Sequence, residues 1–281
     1  MSICYMNGAF CPTGECSLPV TDLSVQRGVG VFDSLRIYER HAFAITAHME
    51  RLAESARLAG IDAAGGEIIR DITRAVREGA LRDDCPNGGD CIAKAYITGG
   101  DAVERGLFPN PRHFVIFEEG PKVHPEEYKN GVALQPVDGN RPYPAVKSIN
   151  YMFGLMQSAG RDDVLECLYC PGGHVAETLR SSFFICKGGR LATAPLGSVL
   201  GGVTRNIVIE LALENGFEVE ERVIELAEMP FVDEAFITSS WKEVMPVVRV
   251  GDAKIASGKP GPIAARLEAL YRANLYRWLD K

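Results

Sequence analysis

Apolar residues in this chain come in short runs, each stopped by glycine, proline or a polar cluster, and this spacing restricts the chain to a mixed α/β fold. Runs of strand length cover Cys91 to Thr98, His113 to Phe117, Val132 to Val137 and Val164 to Tyr169. Ile3 to Met6, Asn7-Gly8 and Ala9-Phe10 read as a hairpin. After Gly28 and Gly30 the alternation continues to Tyr38 and predicts a strand leaving a tight turn. Helical spacing begins at Thr46, with Met49, Leu52, Ala53, Ala56 and Leu58 on one face. It returns near 67–78, 151–160 and 204–215, and in a final helix from Pro262 whose core face is read as Leu267, Leu270, Tyr271 and Trp278. Phe217 to Ile224 alternates as one half-buried strand would. A polar stretch with Pro121 and Pro125 marks an interdomain linker. The expected organisation is 1–118, a linker at 119–131, and 132–281.

Two small domains or one large one suit 281 residues, and a hydrophobic fraction of 46% is enough for a core. A net charge of −7 argues against nucleic acid as a partner. No apolar run is long enough to span a bilayer, and Met1-Ser2-Ile3-Cys4-Tyr5 lacks the basic and apolar start of a leader, so no membrane association and a cytoplasmic location are expected. Cys167 and Cys170 form a C-x-x-C pair without the second pair that zinc wants. They lie at a strand end rather than a helix start, so buried reduced thiols and no metal are expected.

Three features carry chemistry. Lys147 stands between the proline-rich Arg141-Pro142-Tyr143-Pro144 and a helical run starting at Tyr151. Glu177 follows the strand-like run to Tyr169, a Pro-Gly-Gly turn and His174-Val175-Ala176. Leu200-Gly201-Gly202-Val203-Thr204-Arg205 is a glycine-rich turn opening a helix. An amine for a Schiff base, a carboxylate for a pyridine nitrogen and a helix start for a phosphate are what a pyridoxal 5′-phosphate site requires.

In this order the motifs resemble the fold-type IV pyridoxal phosphate enzymes: branched-chain aminotransferases, D-amino acid transaminases, amine transaminases and aminodeoxychorismate lyase. The resemblance runs from about Tyr5 to the C-terminal helix. It implies a small N-terminal α/β sandwich domain and a larger C-terminal α/β pseudo-barrel domain. It also implies Lys147 as the Schiff-base lysine and Glu177 as the partner of the pyridinium nitrogen. Arg51, in a histidine, two residues, arginine-leucine pattern from His48 to Leu52, would grip the phosphate. Tyr151 would hydrogen-bond the ring oxygen, and Leu200 would pack on the ring face. Val203, Thr204, Ser239 and Ser240 would hold the phosphate. Arg180 and Ser182 lie in the same cofactor-binding loop but depart from the family pattern, which has small residues and an asparagine there.

Branched-chain members resemble one another at a Gly-Thr-Ala turn after the late strand, where this chain has Ser239-Ser240-Trp241-Lys242-Glu243. A substrate-carboxylate trap is expected from some of Arg27, Lys94, Arg105 and Lys242, with Phe32 and Trp241 also on the substrate side. Arg27 would cross a dimer interface. The expected activity is transamination from an amino acid to a 2-oxo acid by a homodimer, with a leaning to D-amino acids. Branched-chain L-aminotransferase and aminodeoxychorismate lyase are the alternatives.

Overall fold

The computed structural model describes residues 2–280, and they form two compact units. One holds the chain up to Pro121, Val146–Asn150 and the residues from Leu275 on. The other holds Lys122–Ala145 and Tyr151–Asn274.

The first unit is built on a six-stranded antiparallel sheet, ordered Ala9–Pro12, Ile3–Met6, His113–Glu118, Cys91–Thr98, Gly30–Tyr38, His41–Ala42. In Gly30–Tyr38 the period of two turns Val31, Asp33, Leu35 and Ile37 inward, all fully buried. Helices Ile45–Leu58 and Glu67–Leu81 pack their apolar faces there, through Met49, Leu52 and Ala56 and through Ile68, Ile72, Ala75 and Val76. Each fully buried aliphatic side chain contributes roughly 1.5–3 kcal/mol. Gly79 lets the second helix approach the sheet, because a Cβ at that position would strike the Phe117 ring.

The second unit contains a mixed sheet ordered Glu218–Glu221, Arg190–Thr193, Ser182–Lys187, Glu234–Ser239, Glu243–Val250, Val132–Val137, Glu166–Tyr169, with Ala253–Lys254 paired to Glu243–Val250. Glu218–Glu221, Val132–Val137 and Glu166–Tyr169 join it in parallel. Helices Val203–Glu214 and Pro262–Ala273 pack on each other and on this sheet.

Three expectations need correction. The predicted linker contains a helix, Pro125–Asn130, with proline in its first turn and Glu127 donated to by the His124 backbone N–H. The run from Phe217 splits into Glu218–Glu221 and Ile224–Glu225, the latter pairing with His174–Val175. The last helix stops at Ala273. Trp278 lies beyond it in the first unit, 6.3 Å from the Phe43 ring, with its carbonyl accepting from Ala44 N–H. Among the described residues no helix is long and apolar enough to cross a membrane.

Candidate active site

Lys147 lies in an extended segment held against the first unit's sheet. Its N–H donates to Ser55 Oγ at 3.1 Å and its carbonyl accepts from Phe32 N–H at 2.9 Å. Its ammonium lies 4.8 Å from the centroid of the Phe32 ring. Phe32, Tyr96 and Phe114 are register partners on three adjacent strands, and their rings stack in a row with centroids 5.5 and 4.8 Å apart. The lysine therefore sits at the end of an aromatic wall.

On the other face of the same strand, Asp33 gathers a buried ionic cluster. Its carboxylate accepts from Arg51 Nε at 2.8 Å, from Arg51 Nη2 at 2.7 Å and from Ser34 N–H at 2.7 Å. His48 Nδ1 lies 2.7 Å away. Burial opposes the charge, but Arg51 and His48 outweigh it and hold Asp33 well below the usual carboxylate range. His48 is pushed down, mainly by burial, against the pull of Asp33, and Lys147 adds to the downward push. A neutral His48 then donates from Nδ1 and leaves Nε2 as a buried acceptor, which finds no partner among the described residues. Because Asp33 has a depressed folded-state pKa, its stabilisation is present above the unfolded value near ~4 and is lost as pH falls below it. Asp33→Asn is expected to cost about 3 kcal/mol, by leaving Arg51 without its carboxylate, and to flatten the acid side of a melting-temperature profile. An unchanged acid limb would refute that role.

In the second unit Glu177 is 4% exposed. Its Oε1 accepts from Leu200 N–H at 3.3 Å and faces Arg141 Nε at 3.5 Å. Arg141 is itself buried. It donates to the Leu179 carbonyl, lies 5.7 Å from the Tyr151 ring centroid, and leaves Nη1 unpartnered among the described residues. Burial pushes the Tyr151 phenol up, so it remains a hydrogen-bond donor at neutral pH. Arg180 is exposed, but its charge acts on both Tyr151 and Glu166. Glu177, Tyr151 and Leu200, singled out in the sequence, thus come together around an arginine that the sequence reading passed over.

The second unit also holds an anion cradle. Helix Val203–Glu214 begins after Gly202 with no side-chain cap, so its first N–H groups point outward from a positive dipole end. A Cβ at Gly202 would come within 2.7 Å of Ser182 Oγ. Thr238 pairs with Ser182 and carries a buried hydroxyl without a partner among the described residues. Val203 and Thr204 are buried at the helix start. An uncapped helix start, hydroxyls beside it and a buried carboxylate nearby in sequence order are donors and acceptors that fit a phosphorylated pyridine.

Two of the expected substrate cations are already neutralised. Lys94 is ion-paired with Glu118. Lys242 Nζ donates to Glu166 Oε1 at 3.0 Å and to Ser181 Oγ at 3.2 Å, so its charge is paired inside the second unit. Arg27 and Arg105 are exposed and form no ion pair among the described residues. Trp241 is half-buried in the turn, and Ser239 Oγ accepts from Lys242 N–H. Burial pushes the Cys167 thiol up and the Cys170 thiol up to about 12, which leaves neither as a thiolate at neutral pH.

The class IV amino-transferase family model matches residues 30–250. The chain is 30% identical over 271 residues to a D-alanine aminotransferase of Bacillus licheniformis, covering 93% of each. It is 30% identical over 290 residues to a putative branched-chain-amino-acid aminotransferase of Methanocaldococcus jannaschii, covering 98% of this chain and 96% of that one. The crystal structure of a branched-chain amino acid aminotransferase of Escherichia coli has the same fold, with a TM-score of 0.89, 24% identity, and coverage of 99% of this chain and 98% of that one.

Proposed function

The chain belongs to the class IV aminotransferase family, whose members use pyridoxal 5′-phosphate, and we propose that it moves the amino group of a D-amino acid such as D-alanine or D-glutamate to a 2-oxo acid such as 2-oxoglutarate or pyruvate. The observation that carries the D-preference is the Ser240-Trp241-Lys242 turn. An indole and a sequestered ammonium stand where branched-chain members have a small Gly-Thr-Ala turn. The likeness to a D-alanine aminotransferase supports the same reading. A branched-chain L-preference is the second reading, favoured by an equal identity to a putative branched-chain enzyme.

When bound, the cofactor supplies an electron sink that makes the substrate Cα–H acidic. Lys147 would hold it covalently, and its amine, once freed, would take and return the proton at the substrate Cα. The aromatic row lies beside that amine, 4.8 Å from the Phe32 ring centroid. Glu177 would keep a proton on the pyridine nitrogen, and Arg141 balances the carboxylate's buried charge. Tyr151 would donate a hydrogen bond to the ring oxygen. Val203 and Thr204 N–H groups, with the hydroxyls of Ser239 and Ser240 and beside them those of Ser182 and Thr238, would hold the phosphate. Leu200 packs on the ring. Arg51 serves the phosphate through whatever donor capacity Asp33 leaves it. Arg27 and Arg105 are the cations assigned to the substrate carboxylate, and the working form is a homodimer.

The test supplies D-alanine with 2-oxoglutarate and reads pyruvate together with the handedness of the glutamate formed. Pyruvate that depends on 2-oxoglutarate, with D-glutamate as co-product, is expected. L-glutamate, or turnover only with L-leucine, would overturn the D-preference. Pyruvate released from an aminodeoxychorismate-type substrate without any acceptor would point to the lyase.

A further inference from the structure

Glu166 is the most enclosed carboxylate of the second unit that the proposed chemistry does not use. It is 1% exposed, at the start of strand Glu166–Tyr169. Its Oε1 is met by three groups: Lys242 Nζ at 3.0 Å, Thr178 Oγ1 at 3.0 Å and Ser181 Oγ at 3.0 Å. Lys242 also reaches Ser181 Oγ, and Thr178 closes the loop on itself through Ser181 N–H and the Ser181 carbonyl. Thr178 and Ser181 belong to the loop from Glu177 to Ser182. Lys242 belongs to the hairpin turn between Glu234–Ser239 and Glu243–Val250. One buried ion pair therefore ties two turns together.

The hairpin turn needs tying. Ser239 and Glu243 are its closing pair, so the loop is Ser240-Trp241-Lys242, and Glu243 just after it takes the left-handed conformation, φ 53°, that favours glycine. Side chains over-determine that strained geometry from three directions. Arg272 Nε donates to Glu243 Oε2 at 2.7 Å, Tyr128 O–H donates to the Lys242 carbonyl at 2.9 Å, and Lys242 reaches Glu166.

We propose that Lys242 is a positioning residue whose ion pair with Glu166 locks the Ser240–Lys242 turn to the Glu177–Ser182 loop, and so fixes the relative placement of the groups that bind the cofactor. The inference rests on the cofactor assignment of Glu177, Ser182 and Ser240 given above. The charged and titratable groups facing Glu166 are Lys242, Arg180 and Cys167. With Lys242 present, Glu166 stays ionised despite burial. Without it, burial dominates and the carboxyl gains a proton at higher pH.

Four forms of the holoenzyme separate a lock from simple packing: wild type, Lys242→Arg, Lys242→Met and Lys242→Met/Glu166→Gln. Pyridoxal phosphate affinity is measured across pH 5 to 8. Both methionine forms are expected to bind the cofactor at least ~10-fold more weakly, the size of a lost charged hydrogen bond, while Lys242→Arg stays within about threefold. Lys242→Met alone gains a pH dependence, which Glu166→Gln removes. Native affinity in the double variant, at a native melting temperature, would overturn the proposal. The double variant buries no charge, so it decides the matter if Lys242→Met fails to fold. Hydrogen exchange at the Ser240–Glu243 and Glu177–Ser182 amides reads the lock without the cofactor. Faster exchange in both segments of the double variant is expected. Unchanged exchange would overturn the lock even in a protein that took up no cofactor, whereas failure of wild type to bind it would count against the function alone.

Discussion

Lys147→Ala removes transamination and the visible absorbance of bound cofactor, with a melting temperature close to wild type. The chemical loss follows from the proposed role of this single amine as both cofactor anchor and proton carrier; its removal is expected to slow turnover by at least ~10³-fold. The structural tolerance follows from how the residue is held. Its backbone N–H bonds Ser55 and its carbonyl bonds Phe32 N–H, and neither contact uses the side chain. The extended segment, pinned further by Ile149 N–H on the Gly30 carbonyl, therefore stays in place without the ammonium. Measured turnover within tenfold of wild type would remove Lys147 from the chemistry. A collapsed melting temperature would mean that the lysine works through folding.

Glu177→Gln leaves the side chain's shape but takes away the charge proposed to keep the pyridine nitrogen protonated. The electron sink weakens, and the proton-transfer step is expected to slow by roughly 10²-fold or more while the cofactor stays bound. The same change leaves Arg141 facing an amide at 8% exposure, so a stability cost of about 1–3 kcal/mol accompanies it. Single-turnover rates and melting temperatures in parallel tell the two effects apart. A slowed rate together with a melting temperature lowered by several degrees is the expected pattern, and a native rate would refute the role of the carboxylate.

Much of this was legible in the sequence because the signals were local. Strand Cys91–Thr98 and helix Glu67–Leu81 follow from apolar period and flanking glycine, and the fold class follows from their alternation. Glu177, Tyr151 and Leu200 could be singled out by their motifs. Arg141, the partner of Glu177 and Tyr151, could not, because nothing local distinguishes an arginine before proline that ends up buried from one in solvent. Asp33 and Glu166 left a fainter signal. Asp33 occupies an inward position between Val31 and Leu35, and Glu166 interrupts the apolar run from Val164 to Tyr169. A charge at a core-facing position implies a buried partner, but the partners, Arg51 and Lys242, are set by tertiary packing. That is also why Lys94 and Lys242 read as free cations in the sequence. A lysine's carboxylate partner on another element has no sequence spacing to betray it. Periodicity alone places Trp278 on the last helix, since Asn274 carries no strong stop signal, whereas the chain past it belongs to the other unit.

The most direct test of the proposed D-amino acid transamination is a half-reaction followed in the visible band of the bound cofactor. The holoenzyme is mixed separately with D-alanine and with L-leucine, in the absence of any 2-oxo acid. Rapid loss of the band with D-alanine, and little change with L-leucine, is the predicted result. Loss with L-leucine alone would contradict it and make the Ser240-Trp241-Lys242 turn part of a branched-chain L-amino acid site.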